Sequence, residues 1–159
     1  MKWVHVDLEA KWWTLPAVGT KNGKAHRVPL TIEAVTILQA RKDAAKETAA
    51  HVFENRAGNG SILHRGKKAV SLLCKLLSFE FRAHDLRRTA ATRMAEAGVT
   101  REHLAKVLNH IEGGAAATRV YDRYSCDAEK RQALELWERS LKAILVNERG
   151  HQKVLAFSR

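Results

Sequence analysis

The dipeptide Asn22-Gly23 constrains this chain more than any other short feature. Both residues accept the positive backbone angles of a tight reversal, and they stand between runs with strand character, so a hairpin-based sheet is expected at the N-terminus. Val4, Val6 and Leu8 alternate with Trp3, His5 and Asp7. The run Lys11 to Leu15 holds the strand-forming Trp12, Trp13 and Thr14, and His26-Arg27-Val28-Pro29 supplies a third strand after the turn. The expected product is a small three-stranded antiparallel sheet with a basic hairpin tip.

Beyond Pro29 the pattern turns helical. Thr31 is placed to cap a helix running to about Thr48, with Val35, Leu38 and Ala45 on one face. His51-Val52-Phe53 reads as a short strand and Asn55 to Gly60 as a loop. A helix is expected over about Lys67 to Phe79, burying Val70, Leu73, Leu76 and Leu77. Another begins near His84, turns Leu86, Ala90, Met94 and Ala97 inward, and stops at Gly98. Thr100 caps the next, in which Leu104, Val107, Leu108 and Ile111 keep helical spacing before Gly113-Gly114. A short helix then carries Tyr121 and Tyr124, and a long one from Asp127 to about Val146 buries Leu134, Trp137, Leu141 and Leu145. The fold class is therefore α+β, mainly helical, with the sheet first and a helical bundle after it. With 159 residues, 45% of them hydrophobic, the chain has material for one compact domain, expected over residues 1–147, with a tail at 148–159 that holds Val154, Leu155 and Phe157.

The 28 Lys and Arg against 17 Asp and Glu leave a formal charge of +11, which suits a polyanion-binding surface. Cys74 and Cys126 form no CxxC pair and read as reduced thiols of a cytoplasmic protein. No apolar run approaches the ~18 residues of a membrane span. His103 and His110 have no third partner at ligand spacing, so no zinc site is expected, and no cofactor is called for. An RNA-binding domain fits poorly: no strand has the required aromatic pattern, and the four Trp have core positions.

The most informative stretch is His84-Asp85-Leu86-Arg87-Arg88-Thr89. His84 and Arg87 are three apart and emerge on one face of the helix they begin, where the unpaired N–H groups of its first turn add positive potential. They could converge on one phosphate; equally, His84 could cap the helix and Arg87 could be a solvated charge. Likewise His110 could belong to a site or to a helix C-terminus, where His is favoured. Tyr121 and Tyr124, also three apart, are not separable by spacing.

Thr20-Lys21-Asn22-Gly23-Lys24 with Arg27-Val28-Pro29-Leu30, then His84-Asp85-Leu86-Arg87, then Leu108-Asn109-His110, then Thr118-Arg119-Val120-Tyr121 follow in an order that resembles the catalytic half of the tyrosine recombinase or phage integrase family. The resemblance runs from about Trp3 to Leu145. It implies the integrase catalytic fold and site-specific DNA integration or excision through a 3′-phosphotyrosine intermediate. Lys21 would be the general acid, Arg87 would hold the non-bridging phosphate oxygens with His84 beside it, His110 would fill the second histidine position, and Tyr121 would be the nucleophile. Lys24, Arg27, Arg88 and Arg119 become candidate contacts to the DNA backbone. Implied partners are double-stranded DNA and a homo-tetramer assembled on it, with no membrane and no small-molecule substrate, in the cytoplasm at the nucleoid.

The chemistry is coherent with that resemblance. A phenol with a pKa near 10 is ionised in only about one molecule in a thousand at pH 7, so attack on phosphorus needs cationic help. Lys, Arg and His can supply it without a metal. Two departures stand out. Asn109 replaces the usual glycine before the second histidine, and the family's first catalytic arginine falls before Met1, so the chain is expected to be a fragment, natural or engineered, with impaired cleavage. A non-catalytic DNA-binding remnant is the alternative; a type IB topoisomerase fits the short length and hairpin less well.

Overall fold

The computed structural model describes residues 1–20, 22–55, 60, 66–110 and 125–151. The chain divides into two compact units, Met1–Ala91 and Thr92–Arg159, and the boundary falls inside a helix. In order, the described elements are β1 (Val6–Asp7), β2 (Trp12–Leu15), β3 (His26–Pro29), α1 (Ile32–Asp43), α2 (Gly66–Leu77), α3 (Ala83–Glu96), α4 (Arg101–Val107) and α5 (Asp127–His151). This is the mainly helical α+β arrangement with an N-terminal sheet that the sequence predicts.

In the first unit the sheet has the order β1-β2-β3 and is antiparallel throughout. Val6 faces Trp13, and Trp13 faces Val28, so the three lie on one side of the sheet, with Leu8 and Leu30 continuing the same alternation. That side meets α1 in the core: Leu30, Leu38 and Val52 are buried, and Trp3, Val6, Leu8, Trp13, Ala34 and Val35 pack on them. Thr31 caps α1 by accepting a long hydrogen bond from the Ala34 N–H at 3.5 Å.

Four local expectations are revised here. The first strand is only Val6–Asp7, because Trp3–His5 form a 3₁₀ turn and Lys2 pairs with His51 instead of β2. His51-Val52-Phe53 makes that single bridge and no strand; Glu54 Oε1 accepts from the backbone N–H groups of Ala50 and His51, which diverts them from a ladder. α1 stops at Asp43, where the Ala44 N–H turns to the carbonyls of Ala40 and Lys42. On α2, Leu73, Leu76 and Leu77 are exposed, 46%, 72% and 63%, since no described residue covers them.

The second unit pairs α4 with α5. The side chains buried on and just before α5 are Cys126, Lys130 and Ala133, spaced as one helical stripe, whereas Leu141 and Leu145 of the expected apolar face are exposed. Lys130, only 4% exposed, is tolerated because Asp127 one turn earlier lies 3.0 Å from its ammonium. Removing either partner would leave a charge stranded in the interior, which is far costlier than losing an exposed pair.

Three helices end in the same way. The Phe79 N–H bonds back to the Cys74 carbonyl, Val99 to Met94 and His110 to Ala105, each across one left-handed residue: Ser78 at φ +51°, Gly98 at +90° and Asn109 at +52°. Gly98 therefore stops α3 as the sequence predicts, and Met94, three residues inside that end, is 2% exposed. Leu86, at the other end of α3, is 61% exposed instead of inward.

A Cβ added at Gly98 meets nothing within 4 Å, so only its backbone angle opposes substitution. Gly98→Ala should cost about 1 kcal/mol, while Gly19→Ala, where space is equally open and φ is not left-handed, should stay within about 0.5 kcal/mol. Thermal unfolding of the two variants side by side checks this.

Candidate functional site

The hairpin between β2 and β3 is not the two-residue turn that Asn22-Gly23 alone suggests. The connection runs from Pro16 to Ala25, begins with a 3₁₀ turn at Ala17–Gly19, and reserves Gly23, at φ +67°, for its tip. Thr20 organises it: its hydroxyl lies 2.9 Å from the Ala17 carbonyl and 2.7 Å from the Lys24 carbonyl. Asn22 Oδ1 accepts the Lys24 N–H at 3.1 Å, an Asx turn that closes the tip. Lys24 is exposed there. Lys21, the expected general acid, lies outside the described residues.

Arg27 leaves this hairpin on β3, exposed, with its guanidinium carbon 4.1 Å from the centre of the Trp12 ring. The antiparallel register explains the contact. Thr14 faces Arg27 and Trp12 faces Pro29, so Trp12 and Arg27 are diagonal neighbours on the side of the sheet opposite the core.

At α3, capping falls to Asp85 and not to His84. The helix begins at Ala83; Asp85 Oδ2 accepts the Arg82 N–H at 2.8 Å, while the Asp85 N–H donates to the Arg82 carbonyl at 2.9 Å. This is the reciprocal half of a capping box, and it puts a carboxylate at the positive end of the helix. His84 and Arg87, relieved of that duty, are both exposed and share a face one turn apart. Arg88 Nη1 lies 3.7 Å from Asp85 Oδ1, a loose, exposed pairing that contributes little. The segment entering α3 is held from α2: Cys74 Sγ accepts the Phe81 N–H and donates to the Phe81 carbonyl, both at 3.4 Å.

His110 belongs to the second unit. α4, capped by the Thr100 hydroxyl accepting from the His103 N–H at 3.3 Å, ends at Val107 and not at Ile111. Asn109 then takes the left-handed angle and the His110 N–H closes the turn on Ala105 at 2.9 Å. The sequence departure at position 109 is thus physically mild: after glycine, asparagine is a residue that adopts this angle readily. His110 terminates the helix through its backbone, and its side chain is exposed.

Of the five expected site residues, the structure brings His84 and Arg87 together on α3. It places His110 at the end of α4, and Lys21 and Tyr121 lie outside the described residues, as do Arg119 and Tyr124. Asp85 and Cys74 escaped the sequence reading. Asp85 had a signal, an acid three residues after the helix boundary; Cys74 had none, because its partner is a backbone peptide seven residues away.

The sequence model of the phage integrase family matches residues 1–125. The chain belongs to the phage integrase family. It is similar to the prophage integrase IntA of Escherichia coli (strain K12), 26% identical over 146 residues that cover 89% of this chain and 34% of the relative. It is also similar to the integrase of Shigella phage Sf6, 25% identical over 139 residues, 86% of this chain and 35% of the relative. The chain thus spans about a third of the length of these curated integrases. No solved structure matches it significantly.

Asn109→Gly should leave stability within about 0.5 kcal/mol of the parent, and Asn109→Val, with a branched Cβ at a left-handed angle, should cost about 1–2 kcal/mol. Denaturant unfolding of both variants measures the difference, and equal stability of the two would contradict the assigned cap.

Proposed function

We propose that this chain carries the catalytic part of a site-specific DNA recombinase, with residues 1–147 forming that part and 148–159 a tail. The observation that carries the reading is the exposed His84 and Arg87 pair on the capped N-terminal turn of α3, in a chain whose family match runs over residues 1–125. A helix start with its N–H groups, one guanidinium and one imidazole on the same face suits a phosphate diester.

In the proposed reaction the Tyr121 oxygen attacks phosphorus and the bond to the 5′ oxygen breaks. Lys21 gives that leaving oxygen its proton, and the 3′ phosphate stays esterified to tyrosine. Arg87, with His84 and His110, neutralises charge gathering on the non-bridging oxygens. A 5′ hydroxyl reverses the step and releases the tyrosine, so the phosphodiester energy is conserved and no nucleotide is consumed. Lys24, Arg88 and Arg119 contact the backbone and fix the position of the duplex without reading its sequence. The acting form is a tetramer on DNA, at the nucleoid.

The test is a trap. The chain is incubated at length with a pool of labelled, nicked duplexes of randomised sequence and then denatured. An adduct that survives denaturant is expected from the parent and from Tyr124→Phe, none from Tyr121→Phe, and about 10²–10³-fold less from Arg87→Ala. An adduct lost only in Tyr124→Phe overturns the nucleophile assignment. Duplex binding with no adduct from any variant points to a binding remnant.

A further inference from the structure

We infer that Trp12 is a positioning residue, and that the Trp12–Arg27 pair makes the outward side of the sheet a second contact surface for the DNA backbone, beside the hairpin tip. The inference rests on the DNA-directed reading above and adds a residue and a surface to it.

The register makes the placement deliberate. The side of the sheet that carries Val6, Trp13 and Val28 supplies the core. The opposite side carries Asp7, Trp12, Thr14 and Arg27, with the buried Pro29 directly across from Trp12, so Trp12 holds a large aromatic surface away from the core cluster and remains half-buried. The Arg27 guanidinium lies over its ring, 4.1 Å from the ring centre. An arginine otherwise has several rotatable bonds to immobilise before it can meet a phosphate, and an aromatic ring beneath the guanidinium removes much of that freedom in advance. The N–H donors of a guanidinium lie in its own plane, so the ring engages the face while the edge keeps its direction toward an anion. Arg27 also stands three residues beyond Lys24, where the hairpin tip closes, so the tip and this surface are continuous along β3. In a chain of net charge +11, a polyanion is the ligand that such a pre-set cation fits, and a duplex backbone offers phosphates at regular intervals along one face.

A double-mutant cycle decides the matter. Binding of the full chain to a short fluorescent DNA duplex of mixed sequence is titrated across a potassium chloride series, with a duplex RNA of equal length in parallel. Arg27→Ala should weaken DNA binding about fivefold and reduce the slope of log K against log salt by about 0.9, the signature of one phosphate contact. Trp12→Leu, which keeps an apolar side chain, should weaken binding about threefold when Arg27 is present and leave it unchanged in the Arg27→Ala background. Trp12→Phe, which retains a ring, should restore most of the parent affinity. Losses that simply add, or a Trp12→Leu effect that Trp12→Phe does not rescue, overturn the positioning role. An unchanged salt slope in Arg27→Ala overturns the contact, and preferential binding of the RNA overturns the choice of partner. A parent chain that binds neither duplex removes the DNA-directed reading itself, an outcome distinct from failed coupling.

Discussion

Antiparallel pairing of β2 with β3 is the constraint on which the first unit depends. With Trp13 opposite Val28 and Thr14 opposite Arg27, large apolar side chains face α1 while the tryptophan and the arginine face away. A shift of one residue in this register would turn Trp13 outward, bring Arg27 against Leu38, and dismantle core and charged surface in a single step. The long connection that joins the two strands tolerates its length because Thr20 and Asn22 tie its own backbone together, leaving the strands to set the alignment.

The helical part uses a different currency, the satisfaction of helix ends. Asp85 closes the beginning of α3, Thr100 the beginning of α4, and left-handed residues close the ends of α2, α3 and α4. These are local devices and need no distant partner, so the candidate site residues beside them take their place from the local backbone. His84 and Arg87 project from the first turn of α3, which Asp85 ties to the N–H of the preceding residue, Arg82, and His110 follows immediately on a residue with a left-handed backbone angle.

How much of this was legible in the sequence depends on the range of the interaction involved. Gly98 as a stop and Thr31 and Thr100 as caps all follow from neighbours a few residues apart, and those readings hold. Val4 to Leu8 as a full strand fails because Lys2 finds a partner at His51, a distant pairing that periodicity does not encode. The inward face of α5 was read correctly only in part: Leu134 and Trp137 are half-buried, Leu141 and Leu145 are exposed, and the buried side chains near the start of the helix are a lysine paired with Asp127 and an alanine, which apolar periodicity does not single out. For the site, the order of short motifs was readable and two members share a helix face, while the contribution of Cys74 depends on a backbone peptide that no pattern of side chains reveals.

α4 is seven residues long, about two turns, well below the length at which an isolated helix persists in water. Its existence is borrowed from the surface of α5. Detachment of the C-terminal helix therefore also melts Arg101–Val107 and with it the anchored position of His110. Order at that histidine and docking of the last helix become one cooperative event, which amide exchange along α4 reports directly.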